Sequence, residues 1–432
     1  MTRLAKTPRV QVRLIIVPFS LVASLLVLQC GLTQAKERAS DAANTVEAAL
    51  SEYAISGEQI QKLVGQSGTA LLMDGTVLKD TTLLAFTTRR RDDRVAMFRV
   101  EANGKKRKYP AAKVYSFKVG DNAYKVNYLP SAKAAAIVDV QQQRVAVTKQ
   151  LQKTRRKFWE EFSPDEQEEH VTQHKEFLHE VTQHFSPRLR MDLTETKYFL
   201  FLSDMPRQQM APVLRQLDAM NEELGKAFGY EPGYNIWKGK AVIVAFANRT
   251  DFVEFEAEFM NKSEVGSSVQ GLCHSDSTGR VVVGCYRGNS TNYFNVLLVH
   301  ETAHGYVARF RTNARIPSWL NEGISDWIAG VAVPSSKSIK TRQNSAAKRL
   351  RTIGTFGGQF LDAKAIEAWQ YGAASSIVHL LVAKDPVRFK LFINGIKEGL
   401  KWQDSLRRAY NASPEGLCRL YGRSIGVPNL TP

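Results

Sequence analysis

The chain has 432 residues, of which 44% are hydrophobic and 23% are charged. This length is enough for two or three domains. The composition excludes a wholly disordered chain, a collagen-like fibre and a small disulfide-rich protein. Lysine and arginine outnumber aspartate and glutamate by 59 to 42, which gives a formal net charge of +17. Such a cationic surface favours anionic partners but carries no information about the fold.

Residues 1–35 have the pattern of an export signal peptide. The segment contains basic residues but no acidic ones, and an apolar run extends from Leu14 to Leu28. Cleavage after Ala35 would leave a small residue at the cut. The run is short for a membrane span, and Pro18 interrupts it. We therefore expect an exported protein, in a periplasmic, cell-surface or secreted location. An uncleaved signal anchor, which would hold the protein at the membrane, is the alternative.

Residues 36–65 are polar and rich in alanine and glutamate, which predicts a helical linker. Residues 66–145 contain short runs of alternating apolar and polar residues, separated by turn signals such as Asn103-Gly104. This pattern predicts a small all-β domain, a barrel or a sandwich, of four to six strands.

Two basic clusters lie in the predicted β domain, at Arg89–Arg91 and Lys105–Lys108. A solvated turn surface is the simpler interpretation, because charge runs rarely carry specificity. The alternative is a patch that binds an anionic polymer, and specific nucleic acid recognition is not expected.

Residues 146–192 are charged and predict a second helical linker. His170 and His174 would share one face of that helix and could hold a metal ion. No third ligand has a fixed position relative to them, so a solvent-exposed helix is the favoured interpretation.

Residues 193–432 predict one α+β unit. Apolar runs of strand length occur at 198–202, 241–246 and 280–284, a helical pattern at 208–228 separates the first two, and another helix opens at 248–251. Helices alone follow the last strand. Cys273 and Cys285 flank a turn-rich segment, which predicts either a disulfide that closes a hairpin or two unpaired thiols.

The most specific segment is His300-Glu301-Thr302-Ala303-His304. With eight histidines in the chain, a His-Glu-x-x-His match is expected by chance about 0.01 times. Histidines four residues apart lie on one face of a helix, so both imidazoles can reach one Zn²⁺ ion. Glu301 lies beside them and can take a proton from a metal-activated water.

A catalytic zinc site needs a third protein ligand and an open fourth position. Glu322 follows His304 by eighteen residues, in a segment that Pro317 and Ser318 open as a helix. Glu322 is the natural third ligand. Asp326 lies four residues further on, on the same face, and could accept the free N–H of a ligating imidazole.

His300-Glu301-x-x-His304 followed by Trp319-Leu320-Asn321-Glu322-Gly323 resembles the gluzincin metallopeptidases, most closely the secreted bacterial peptidase MA-like group. The resemblance covers about residues 193–422. It implies a zincin-like domain, with a mixed sheet, a His-Glu-x-x-His helix and C-terminal helices, preceded here by the small all-β domain. It also implies that His300, His304 and Glu322 bind zinc, that Glu301 is the general base, and that strand 281–286 pairs with an extended substrate.

The family also needs a donor to the developing oxyanion. Tyr371 is the first candidate and His379 the second, although an aromatic residue on an apolar helix usually belongs to the core. The Gly-rich amine-binding motif of aminopeptidases is absent from this sequence, which favours endopeptidase action on a peptide or protein substrate.

The sequence therefore predicts an exported zinc metallopeptidase. A non-catalytic surface protein that binds polyanions through its basic β domain is the alternative from another class. A metal-dependent hydrolase of a non-peptide bond would use the same site chemistry.

Overall fold

The computed structural model describes residues 45–89, 93–186, 188–357 and 359–432. The predicted signal peptide lies outside these residues, as do the start of the predicted 36–65 linker and the cluster residues Arg90 and Arg91. None of the helices in the described ranges is long and apolar enough to cross a membrane. The fold is α+β, as predicted: an antiparallel β domain is followed by a mixed sheet with helices and then by helices alone.

The β domain begins after two short helices, α1 (45–51) and α2 (Gly57–Gln61). Its sheet has seven strands, one more than the predicted maximum: β1 (Ser67–Leu72), β2 (Val77–Thr88), β3 (Val95–Ala102), β4 (Lys105–Pro110), β5 (Val114–Val119), β6 (Asn122–Leu129) and β7 (Ala134–Asp139). The strand order is β2-β1-β5-β6-β7-β3-β4, and β2 also pairs with β3. This extra pairing closes the sheet into a barrel, which buries a core that includes Phe98, Val126 and Ile137.

Strand β4 is the one that the sequence pattern conceals. It consists of the basic cluster Lys105–Lys108 followed by Tyr109 and Pro110, so it has no alternation of apolar and polar residues. It pairs with β3 along its length, and its basic side chains are exposed. A charged edge strand of this kind resists pairing with other chains.

Two longer helices follow the barrel, α3 (Val140–Gln152) and α4 (Pro164–Phe185). Helix α4 begins with a capping box between Ser163 and Glu166. Contrary to the prediction of a linker over 146–192, α4 buries Leu178, Val181 and Phe185 against the second sheet, so it is part of that core.

The paired histidines of α4 do not face one another across a metal site. The Nδ1 atom of His174 lies 3.0 Å from the carbonyl oxygen of Lys240, and Nδ1 of His170 lies 3.1 Å from Oε1 of Gln173. His174 is buried, and this burial lowers its pKa to about 4, so the ring is neutral.

The second sheet has five strands: β8 (Asp192–Glu195), β9 (Phe199–Ser203), β10 (Ala241–Phe246), β11 (Gly271–Ser275) and β12 (Val281–Tyr286). Their order is β11-β12-β10-β9-β8, with β9, β10 and β12 parallel and the two outer strands antiparallel. Residues alternate between two cores. Ile243 and Val283 face one set of helices, whereas Val242 and Val282 face α4 and the helix that follows β10.

The helices of this part of the chain are α5 (Arg207–Phe228), α6 (Arg249–Met260), α7 (Thr291–Arg309), α8 (Ser318–Ala332), α9 (Ser338–Ile353), α10 (Gln370–Lys384), α11 (Pro386–Lys397), α12 (Trp402–Tyr410) and α13 (Pro414–Ser424). Helix α6 covers the same face of the sheet as α4, and α5, α7 and α8 cover the other face. The predicted helices at 208–228 and after Asn248 are confirmed as α5 and α6.

Cys273 and Cys285 are unpaired thiols. The antiparallel register of β11 and β12 places Cys273 opposite Val283 and Cys285 opposite Gly271. The two cysteines therefore occupy diagonal rather than directly opposite positions, which does not favour a disulfide bond between them.

Candidate metal centre

Helix α7 carries the His-Glu-x-x-His segment and lies against the second sheet. Ser290 begins it by accepting a hydrogen bond from the backbone N–H of Tyr293. Gly305, directly after the second histidine, lets the helix approach the sheet closely, because a Cβ atom there would lie 2.5 Å from Cγ1 of Val281. The motif is therefore held on a buried helix at the sheet surface.

Helix α8 brings Glu322 to the two histidines of α7. The Nε2 atoms of His300 and His304 are 3.1 Å apart, and Oε2 of Glu322 lies 3.3 Å from the first and 3.4 Å from the second. One donor atom from each residue thus lies within 4.8 Å of the others. This His300–His304–Glu322 group could hold a metal ion.

The other ring nitrogens show which atoms are free to bind. The Nδ1 atom of His300 lies 2.8 Å from Oδ1 of Asp326, a carboxylate that is fully buried, and Nδ1 of His304 lies 3.1 Å from Oγ of Ser325. When each Nδ1 carries the hydrogen and donates it, both Nε2 atoms present lone pairs. Two imidazole lone pairs and a carboxylate oxygen then converge on one point, an arrangement that a divalent cation stabilises. The residues present therefore fit a metal ion.

The electrostatics of the group agree with this chemistry. Burial by itself would lower the pKa of His300, but hydrogen bonds with Asp326 and Glu322 outweigh it and raise the pKa to about 10. Burial would raise the pKa of Glu322, but hydrogen bonds with His300 and His304 lower it to about 2. The surroundings strongly favour positive charge at this point, as a bound cation requires.

Glu301 lies between α7 and the outer strand β11. Its Cγ atom lies so close to the strand that a Cβ atom at Gly271 would be 3.0 Å away, so a glycine there leaves the glutamate room. Burial raises the pKa of Glu301, while His300 and His304 oppose the rise. A carboxylate with a raised pKa is suited to accepting and returning a proton.

Tyr371 at the start of α10 reaches the group, and His379 does not. The rings of Tyr371 and His300 lie 6.4 Å apart and nearly parallel, and Tyr371 lines the same cavity as His300, Glu301 and Glu322. Burial, followed by the nearby carboxylates, raises the pKa of Tyr371 to about 12, so it keeps its O–H hydrogen. His379 is exposed and lines neither cavity beside the group.

Two connected depressions lie on either side of the group. One of about 860 Å³ is lined by residues 268–272 together with Tyr293, Arg342 and Tyr371. The other is larger and opens to solvent beyond His304, past residues 272–278 and the segment that joins α3 to α4. Leu272, Glu301, His304 and Glu322 line both depressions, which together form a groove that extends on both sides of the group.

The strand beside this groove is β11, and the expectation that 281–286 pairs with substrate is wrong. Strand β12 is interior, because β11 pairs on one side of it and β10 on the other. Within the described chain β11 pairs with β12 alone, so its other edge is free, and its residues Gly271, Leu272, Cys273 and Ser275 line the depressions.

Sequence reasoning did not identify Ser325 and Arg342. Ser325 contacts His304, and Nη2 of Arg342 lies 3.1 Å from Oδ1 of Asp326, the same oxygen that contacts His300. Ser325 directly precedes Asp326 in the sequence, so its place on the helix was a usable signal. Arg342 comes from α9, and its approach depends on a tertiary packing that no local pattern encodes.

A comparison with protein-family models and with curated proteins finds no match to this chain. The resemblance to gluzincins therefore rests on the spacing of the motif residues in the sequence.

Proposed function

We propose that the protein is an exported zinc-dependent metallopeptidase of the gluzincin type. The observation that carries the proposal is the meeting of three donor atoms from two helices, Nε2 of His300, Nε2 of His304 and Oε2 of Glu322, beside the half-buried Glu301. Two imidazoles and one carboxylate form a donor set typical of catalytic zinc. Bound zinc would polarise the scissile carbonyl and make water more acidic.

The protein's own residues supply the remaining steps. Glu301 accepts a proton from the attacking water and delivers it to the leaving amine. Asp326 and Ser325 hold the Nδ1 hydrogens of the two histidines, which fixes the ring orientation and keeps Nε2 available. The hydroxyl of Tyr371 stays protonated and donates a hydrogen bond to the oxyanion that develops on the carbonyl oxygen.

The shape of the site supports a peptide as substrate. An extended chain could add to the free edge of β11 through backbone hydrogen bonds and continue in both directions along the groove. A groove that extends on both sides of the group suits cleavage within a chain, so we propose endopeptidase action.

The deciding experiment compares metal content and hydrolysis in the wild type and in Glu301→Gln. The substitution keeps the size of the side chain and removes the base, so we expect metal content near the wild-type value. Cleavage of casein and of a mixed peptide pool should fall by about 10²- to 10⁴-fold. Glu258→Gln, a change at an exposed glutamate on α6, is the matched control and should behave as wild type. A zinc-loaded wild type that cleaves no member of the pool would contradict the proposal.

One observation favours the second candidate function, the binding of an anionic polymer by the barrel. Lys105, Lys106, Arg107 and Lys108 are all exposed along the outer strand β4. On this alternative, the full-length Glu301→Gln variant should bind inorganic polyphosphate. The affinity should fall as the salt concentration rises, and most of it should be lost when these four residues are replaced by glutamine.

A further inference from the structure

The larger depression of the groove carries more basic than acidic side chains. Apart from Glu301, His304 and Glu322, its lining includes the cations Lys157, Lys238 and Arg315, the cation Arg144 that pairs with Glu161, and the acids Glu160 and Asp276. An excess of positive charge therefore lies along the part of the groove that starts at His304 and runs past the Ser275 end of β11.

The segment that joins α3 to α4 forms a fixed wall of this depression. The backbone N–H of Lys157 donates to Oδ1 of Asn313 at 2.9 Å, and the backbone N–H of Asn313 donates to the carbonyl of Lys157 at 3.1 Å. Trp159 donates from its backbone N–H to the carbonyl of Arg311 at 2.9 Å and from its ring to the carbonyl of Ala308 at 3.0 Å. Lys157 and Trp159 are thus held against the loop that follows α7.

The charges on this wall are available to a ligand. Lys157 and Arg315 are exposed, and neither has an ion-pair partner in the described part of the chain. The ammonium group of Lys238 donates to the hydroxyl of Thr278 at 3.1 Å and lies near Asp276, whose pKa its charge helps to lower.

The acidic side chains that line this depression are fewer than the basic ones, and one of them already accepts hydrogen bonds. Oδ1 of Asp276 accepts hydrogen bonds from the backbone N–H groups of Thr278 and Arg280 within its own turn. The carboxylate of Glu160 is the acid that remains on this wall, against Lys157, Arg315 and Lys238.

We infer that the enzyme selects peptides with acidic residues on the N-terminal side of the scissile bond, through Lys157 and Arg315. The inference rests on the proposed function. Strand β11 runs from Gly271, beside the smaller depression, to Ser275, beside the larger one. A substrate that pairs antiparallel with β11, the more stable of the two pairings, places its N-terminal part in the larger, basic depression.

The expected effect is moderate, because both side chains are exposed to solvent. An exposed ion pair is worth about 0.2–1 kcal/mol, so two pairs together should change kcat/KM by about twofold to thirtyfold. Because exposed charges are screened by salt, the preference should shrink between low salt and about 0.5 M salt.

The experiment uses peptides that differ only in the second to fourth residues on the N-terminal side of the cleaved bond, which are Glu, Gln or Lys. We expect the wild type to rank these peptides Glu, Gln, Lys in falling kcat/KM, and the double variant Lys157→Glu/Arg315→Glu to reverse the order. Lys106→Glu/Lys108→Glu on the barrel is the matched control, since it makes the same change of net charge at two exposed residues that line neither depression, and it tests the general effect of net charge.

The outcomes separate the two proposals. Cleavage of all three peptides at equal rates, a preference for lysine, or a preference found only on the C-terminal side would overturn the inference and leave the peptidase proposal intact. An equal change in Lys106→Glu/Lys108→Glu and in Lys157→Glu/Arg315→Glu would also overturn it. Absence of cleavage of every peptide by the metal-loaded wild type would instead contradict the peptidase proposal.

Discussion

The barrel and the helical part of the molecule differ in the partners of their buried polar residues. In the barrel the charged residues of β4 are exposed, and the two buried polar residues, Thr81 and Asp139, have local partners. Thr81 donates to the carbonyl of Leu78, and Asp139 accepts the first N–H groups of α3. Local structure alone therefore satisfies these two buried side chains.

Around α7 and α8 the buried polar side chains form hydrogen bonds with one another instead. His300, Ser325 and Asp326 are buried together, and Oδ2 of Asp326 has no hydrogen-bond partner among the described residues. Burying such groups is costly unless they are satisfied. Buried polar groups that contact one another, rather than a high density of charge, therefore mark where chemistry is expected in this molecule.

The largest effect should come from removing a metal ligand. We expect His304→Ala to abolish stoichiometric zinc binding and detectable hydrolysis. Because a metal that binds only the folded state stabilises it by about 3–4 kcal/mol at 100–1,000 times its Kd, chelation should lower the Tm of the wild type. The Tm of His304→Ala should not respond to the chelator, and an equal drop in both proteins would count against this metal site.

A smaller loss is expected when the partner of a ligating histidine changes. Asp326→Asn keeps the shape but weakens the hydrogen bond to Nδ1 of His300, and such changes cost about 10- to 100-fold in metal affinity. Competition with a chromophoric chelator measures that affinity. Unchanged zinc affinity would mean that Asp326 serves only the packing of α8.

Lys397 provides a test of stability that is independent of the metal. Its ammonium group donates to the carbonyls of Val307 and Ala314 at 2.8 Å, inside the connection between α7 and α8. Lys397→Met would leave these buried carbonyls without a donor, which should cost about 1–3 kcal/mol of unfolding free energy. Urea unfolding of the metal-free proteins at fixed pH measures the loss.

The same residue predicts a pH dependence. Burial, followed by the charge of Arg156, lowers the pKa of Lys397 to about 7. Between about pH 7 and the usual lysine range the unfolded chain holds this proton and the folded chain does not, so the free energy of unfolding rises with pH. The difference between wild type and Lys397→Met should therefore grow from pH 6.5 to pH 9. A constant difference would indicate that Lys397 stays charged throughout.

The smallest effect is expected in the barrel. Replacing the four basic residues of β4 by glutamine should leave peptide hydrolysis unchanged and alter the unfolding free energy by no more than about 0.5 kcal/mol, because the side chains are exposed. A large loss of hydrolysis would break the contrast between the two regions and tie the barrel to catalysis.

Local spacing made much of the site predictable from the sequence. His300, Glu301 and His304 lie within five residues, and helical geometry alone places the two histidines on one face. Glu322 and Asp326 share a second helix, and their contacts with the histidines follow once the two helices meet. The alternating runs of the barrel likewise predicted short strands.

The parts that sequence reasoning missed depend on distant contacts. That β11 rather than β12 is the free edge follows from the order of strands that are far apart in the chain, which no hydrophobic pattern specifies. Helix α4 looked like an exposed linker because its surface is highly charged, and only its narrow stripe of Leu178, Val181 and Phe185 meets the sheet. Strand β4 has no apolar alternation, and its four basic side chains are exposed in the described part of the chain.

The packing of α4 also decides how the protein can be shortened. A fragment that starts at residue 193 would keep every residue of the metal group but would uncover Leu200, Val242 and Val244, which α4 helps to shield from water. Such a fragment would expose an apolar face of the sheet and aggregate, whereas one that starts before Ser163, the N-cap of α4, would keep that face covered. Any expression of the part that carries the candidate metal group should begin there.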